Sequence, residues 1–232
     1  MSIFPGGVAL SDLEVYDWEA EDGCRGGSPH LHTASSEGYV VIGGSGAVHT
    51  LSAAGLAEDR LEPGDVLWFT PGTVHRLIND GDLRLLVVMS NAGLPEAGDA
   101  VLTFPSEVLD DPAAYAAAAT LPSGEGRADA ARARRDLAVR GFAELRDAGP
   151  NALATLHRQA VALVQPKIAG WQELWQKTVL AEAERTRERL ALLASGDSAA
   201  LSDAEVTRLS PTSSERSNGM CGMLRTWQWS AG

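Results

Sequence analysis

The chain has 232 residues, 44% hydrophobic and 22% charged, with a formal net charge of −12. That length can bury a core without staples, no apolar run approaches the roughly 20 residues that span a bilayer, and two cysteines, Cys24 and Cys221, cannot make a disulfide framework. Residues 1–100 carry 15 acids against 4 bases, which repels phosphate backbones and anionic lipid surfaces, so neither a nucleic acid nor a membrane is expected as a partner.

Met1-Ser2-Ile3-Phe4-Pro5 lacks the basic and apolar regions of a signal peptide, and a cytoplasmic location is expected. Up to about residue 105 the chain reads as short strands divided by turn residues. Tyr39–Ile42 runs into Gly43-Gly44-Ser45-Gly46, and Ala47–Leu51 follows. Val66–Phe69 sits between Pro63-Gly64-Asp65 and Pro71-Gly72. Leu83–Met89 comes after the turn-like Asn79-Asp80-Gly81-Asp82. Strands of this length and punctuation predict an all-β sandwich or barrel.

Beyond residue 105 the chain becomes alanine-rich and helical. Asp111-Pro112 is an N-cap and first-turn pair for a helix through Ala119. Further helices are expected over Ala128–Arg146 and Asn151–Val164. A fourth, from Pro166, carries Ile168, Trp171, Trp175, Val179, Ala183, Thr186, Leu190 and Leu193 on one apolar face, with Glu182, Glu184, Arg185 and Arg187 opposite. Ser202-Asp203-Ala204-Glu205 is a capping-box pattern for one more short helix. The alternation over Met223–Trp229 predicts a last strand that returns to the barrel and buries its tryptophans.

The chemistry-bearing residues lie in two segments. His30 and His32, two apart, project from one face of a strand, and Glu37 can return to that side after a short turn. The second segment holds Gly64, Pro71, Gly72, His75 and Asn79. Three imidazoles and a carboxylate form a donor set for one divalent transition ion: Fe, Mn, Ni, Cu or Zn. His49 and His157 fall outside these segments, and Asn79 is read as a turn or barrel hydrogen-bonding residue.

The two segments resemble the motifs of the cupin superfamily. The first is matched by Gly23 or Gly26, His30, His32, Glu37 and Gly44; the second by Gly64, Pro71, Gly72, His75 and Asn79, with Pro71 one residue late. The resemblance covers roughly residues 8–92. It implies a small antiparallel β-barrel (a jelly roll), His30, His32, Glu37 and His75 as ligands of one metal, and a homodimer. The fold class is thus mainly β plus α: a cupin barrel over 1–105, then a helical extension with a terminal return strand over 106–232. The extension is read as packing on the barrel and adding dimer contacts; a lid over the barrel mouth is the other use for it.

Alternation puts Tyr39 and Val41 on the face of Glu37. Either Val66 and Trp68 or Leu67 and Phe69 line the interior, with Leu77 beyond His75. Such a cavity suits a small, partly apolar organic molecule, and its one phenol makes Tyr39 the acid-base candidate. Arg60, Arg76 and Arg84 are read as surface arginines, with Arg76 turned outward. The expected function is metal-dependent chemistry on a small molecule, by a dioxygenase, isomerase or lyase. The alternative is a non-catalytic cupin that senses or stores a small ligand.

Overall fold

A computed structural model describes residues 4–227. Among the described residues nine strands form one sheet: β1 (Ala9–Val15), β2 (His30–His32), β3 (Glu37–Ser52), β4 (Gly55–Leu61), β5 (Val66–Phe69), β6 (Val74–Met89), β7 (Ala100–Leu102), β8 (Ser217–Asn218) and β9 (Gly222–Thr226). Neighbours run β4-β3-β6-β1-β9-β8, β5 adds to β3, and β2 bridges β6 and β7. Every paired strand is antiparallel. Inside lie Leu13, Tyr39, Val48, Leu77, Leu85 and Val87, all nearly inaccessible to water.

β3 and β6 are each one 16-residue strand, in place of the four-residue turns expected at Gly43–Gly46 and Asn79–Asp82. The two turn-like segments face each other across the ladder, and the register shifts there three times. Gly44 has φ +71°, and a Cβ on it would stand 2.1 Å from the Asp82 carbonyl oxygen. Asp82 itself has φ +50°. Paired bulges of this kind bend both strands together and keep the ladder intact. Asn79 secures the bend: its Oδ1 accepts from the Gly81 and Leu83 amides, and its Nδ2 donates to the Val15 carbonyl.

The helices are α1 (Ser106–Leu109), α2 (Pro112–Ala119), α3 (Arg127–Asp147), α4 (Pro150–Val164), α5 (Ile168–Trp175) and α6 (Ala181–Ala194). Asp111 caps α2, accepting from the Ala113 and Ala114 amides. A second core joins helices to barrel: Leu31, Val101 and Leu102 pack with Phe142, Leu156 and Trp171. α3 is pinned by two buried arginines. Arg135 donates to the Trp18 and Glu19 carbonyls at 2.7 and 2.8 Å, and Arg134 to the Gly219 carbonyl at 2.6 Å.

α3 meets the barrel backbone to backbone at Gly141, where a Cβ would lie 2.2 Å from the Thr103 carbonyl oxygen. Gly141→Ala is therefore expected to cost about 3 kcal/mol as an overpacked core. Gly170→Ala, whose new methyl meets nothing within 4 Å in α5, should be neutral or stabilising by up to about 1 kcal/mol. Thermal melts of the two variants read the difference directly.

Three expectations for this half of the chain, two helices and the return strand, are corrected. The fourth helix is not continuous: a π-helical turn at Gln176–Leu180 separates α5 from α6. A π turn inserts one residue and rotates the downstream helix face by about 100°. The apolar face is accordingly not buried as a unit. Trp171 is 6% exposed, whereas Leu190 and Leu193 are 61% and 50% exposed. Ser202–Glu205 starts no helix; Asp203 pairs instead with Arg189, and a 3-10 turn at Ser198–Leu201 is capped by Asp197. The return strand exists, as β9 against β1, but its faces are reversed. Leu224 points inward opposite Leu13, and Trp227 is half-buried on a bridge to Pro211. Trp229 lies outside the described residues. No helix among the described residues is long and apolar enough to cross a membrane.

Candidate metal centre

β2 is buried on both sides. Leu31 faces the helical core, which leaves His30 and His32 pointing into the barrel. β6 brings His75 directly opposite His30, and Glu37 opens β3. The donor atoms of His30, His32, Glu37 and His75 all lie within 4.8 Å of one another, and all four residues are buried.

Hydrogen bonding fixes the direction of the free lone pairs. Nδ1 of His30 donates to the Ser28 carbonyl (2.9 Å) and Nδ1 of His75 to the Thr73 carbonyl (3.1 Å). In a neutral ring so tied, the lone pair is on Nε2. The two Nε2 atoms stand 3.2 Å apart, and His75 Nε2 is 3.0 Å from Glu37 Oε2. His32 Nε2 also lies 3.0 Å from Glu37 Oε2. Four buried donor atoms converge on one small space, where a cation would be held by all of them. The donor set therefore fits a divalent ion.

Electrostatics agree. Burial, then the neighbouring His75 and His32, hold the His30 imidazole well below its ordinary value, so it stays neutral. Burial pushes the Glu37 carboxyl up, but His75 and His32 outweigh it and keep the group ionised. Burial pushes His32 down, yet hydrogen bonds to Asp99 and Glu37 win and hold it at about 9.

Asp99 carries no motif and lies 67 residues from His32, so nothing in the sequence flags it. Its Oδ1 accepts from His32 Nδ1 at 2.7 Å, its Oδ2 accepts from the Ser35 amide, and it is fully buried. Such a carboxylate fixes the ring and raises its basicity. Asp99→Asn is expected to weaken metal binding about 10–100-fold, measured by competition with a coloured chelator.

Tyr39 is completely buried, its ring edge-on to Phe69, and its hydroxyl makes no hydrogen bond. Burial, then the Glu37 charge, push the phenol well above its ordinary value. Leu67 and Phe69 share its inward face, while Val66 and Trp68 are 62% and 72% exposed. Arg60 and Arg84 lie outside on acidic partners. Arg76 turns away from the cluster, as expected, but is no surface residue: it is 1% exposed, paired with Asp22 and donating to the Gly27 carbonyl. His49 pairs with Glu58 across β3 and β4, and His157 binds the Gly72 carbonyl from α4.

A cavity of about 290 Å³ opens onto His30, His32 and Glu37. Its walls come from β1, β6 and the segment leading into β9, with Met220, Cys221 and Leu224 among them. Sequence order allows Cys221, ahead of the return strand, to come near the site, and the structure places it in this wall.

The family model described as Cupin domain matches residues 17–89. No curated protein matches. Among solved structures the chain is similar to an uncharacterized conserved protein with a double-stranded beta-helix domain from Klebsiella pneumoniae, at 17% identity over 39% of this chain and 73% of that one, TM-score 0.32. It is similar to the Streptomyces nucleoside dehydratase Pac13, at 16% over 43% and 70%, TM-score 0.33. It is also similar to the capsular polysaccharide assembling protein CapF from Staphylococcus aureus, at 18% over 37% and 23%, TM-score 0.30.

Proposed function

Residues 17–89 are a cupin domain and the chain belongs to the cupin superfamily, and on that premise we propose that it is a metal-dependent cupin enzyme acting on a small organic molecule. The observation that carries the reading is the convergence of three imidazole nitrogens and one carboxylate oxygen, all buried and within 4.8 Å of one another inside the barrel. His30, His32, Glu37 and His75 would hold the ion, which supplies Lewis acidity at coordination positions left free by four protein ligands. Asp99 holds His32 by its Nδ1 and stops the ring from turning. Helix packing behind Leu31 keeps both β2 histidines fixed.

One observation favours a second reading, a cupin that binds its ligand without turning it over. Tyr39 is sealed from the cavity, and among the described residues the only acids lining that cavity are Glu37 and Glu96, so an acid-base partner for a reaction is scarce. Turnover separates the two. Metal analysis of the purified protein, then oxygen-uptake and product assays on a metabolite panel, should reveal an activity that Glu37→Gln lowers at least tenfold. A neutral oxygen donor should also shift metal preference toward the nitrogen-favouring Ni and Cu. Unchanged metal content and preference in that variant would exclude Glu37 from the ligand set, and metal binding with no turnover on any panel member would favour the second reading.

A further inference from the structure

We infer that the ligand of this site carries an uncharged, apolar body, which lies in a vestibule that the C-terminal strand completes, with its polar end toward the metal. The inference deepens the metal-site reading and rests on it for the location of the working end. β1 contributes Ala9, Leu10, Ser11 and Leu13 to the vestibule, and the wall opposite holds Met220, Cys221 and Leu224. Register explains the layout: Leu13 faces Leu224 and Ser11 faces Thr226 across the β1–β9 ladder.

Charge is the deciding feature. Among the described residues no Arg or Lys lines the vestibule, and its only ionisable carboxylates are Glu37 at the floor and Glu96 at the rim. Thr226 has its hydroxyl engaged by Thr212 at 2.9 Å. A carboxylate or phosphate group held in the vestibule away from the ion would lose its water, find no Arg or Lys partner, and face Glu96 at the rim. An apolar body gains about 0.8 kcal/mol per buried CH₂ against these walls. The volume of about 290 Å³ fits a small metabolite. A second anionic group, out of reach of the ion, is disfavoured.

Cys221 is a built-in reporter, since it lines the vestibule, while Cys24 lies elsewhere on the surface and is also a free thiol. Methanethiosulfonates test access: the thiolate sulfur bonds to the sulfenyl sulfur and methanesulfinate leaves. The chelator-treated full chain is exposed to the neutral benzyl reagent and to the anionic sulfonatoethyl reagent. Peptide mass spectrometry follows each cysteine, and Cys24 gives the intrinsic rates. After that normalisation, the benzyl reagent should modify Cys221 at least tenfold faster than the anionic one. Leu224→Lys should cut that preference at least fivefold, because it places a cation in the wall.

Equal or reversed selectivity would overturn the inference. So would failure of every reagent to reach Cys221 in the folded chain when urea exposes it to all. Because the measurement is made without metal, loss of the metal-site reading leaves its outcome intact, and the two failures can be told apart.

Discussion

Replacing His75 with Ala is expected to reduce the metal content of the purified protein from about one ion per chain to background. His75 sits at the centre of the cluster, with Glu37 Oε2 at 3.0 Å and His30 Nε2 at 3.2 Å. Outer partners of ligands cost about 10–100-fold in affinity when removed, so loss of a direct ligand should exceed a hundredfold. The fold should persist, because backbone pairing with β2 and β3 holds this part of β6 whatever its side chain, and the circular dichroism spectrum should match wild type. His75→Gln, which fills the space, guards against a packing artefact. Undiminished affinity in both variants would place the ion elsewhere.

Acidity should act on the same equilibrium. In the metal-free protein His32 holds its proton up to about 9, between Asp99 and Glu37. The ion needs that nitrogen neutral, so binding expels one proton wherever the pH is below that value. Apparent affinity should then fall about tenfold for each pH unit below 9, a far earlier onset than an ordinary histidine would give. The sign for stability runs the opposite way. A raised folded value stabilises the metal-free fold fully below about 6.5, and that stabilisation is lost as pH rises toward 9. Chelator competition at three pH values reads the first slope. A flat profile from 6.5 to 8.5 would show that His32 carries no such proton.

Removing residues 220–232 is expected to destabilise the barrel by several kcal/mol and lower the melting temperature by roughly 10–20 °C. Among the described residues the cause lies in the barrel interior and the β1 ladder. The deletion strips Cys221 and Leu224 from the barrel interior, leaves one edge of β1 unpaired, and deprives Arg216 of part of its shell. Gly27 and Cys221 also fit closely, since a Cβ on Gly27 would stand 2.5 Å from the Cys221 Cα. A truncated chain that melts with the full one would mean that β9 adds nothing to stability.

The four cluster residues are readable in the sequence because each is tied to a local constraint. Two-residue spacing sets His30 beside His32, and Pro71-Gly72 sets the turn before His75, with Gly72 at φ +86°. Asp99 and Met220 are invisible there because tertiary packing alone brings them to the site. Glycine runs mislead for a related reason. Gly43–Gly46 looks like a turn, but its missing side chains serve close backbone approach, with a Cβ on Gly46 falling 2.1 Å from the Ile78 carbonyl oxygen. Charge alone cannot place Arg76, Arg134 or Arg135 either. Burial of an arginine depends on which carbonyls lie within its reach, and those come from distant loops.

The pairing of β1 with β9 has a consequence for synthesis. Ser11 meets Thr226, its partner 215 positions later. At about 5–20 residues per second, a ribosome takes roughly 10–40 s to make the intervening chain. β6 can close one side of β1 early, since Leu13 pairs with Leu85. The other side stays an open template throughout translation of the helices, offering unpaired amides to any nascent neighbour. Asp12 and Glu14 on that strand, both acidic and later met by Arg216, make the waiting edge repel a copy of itself.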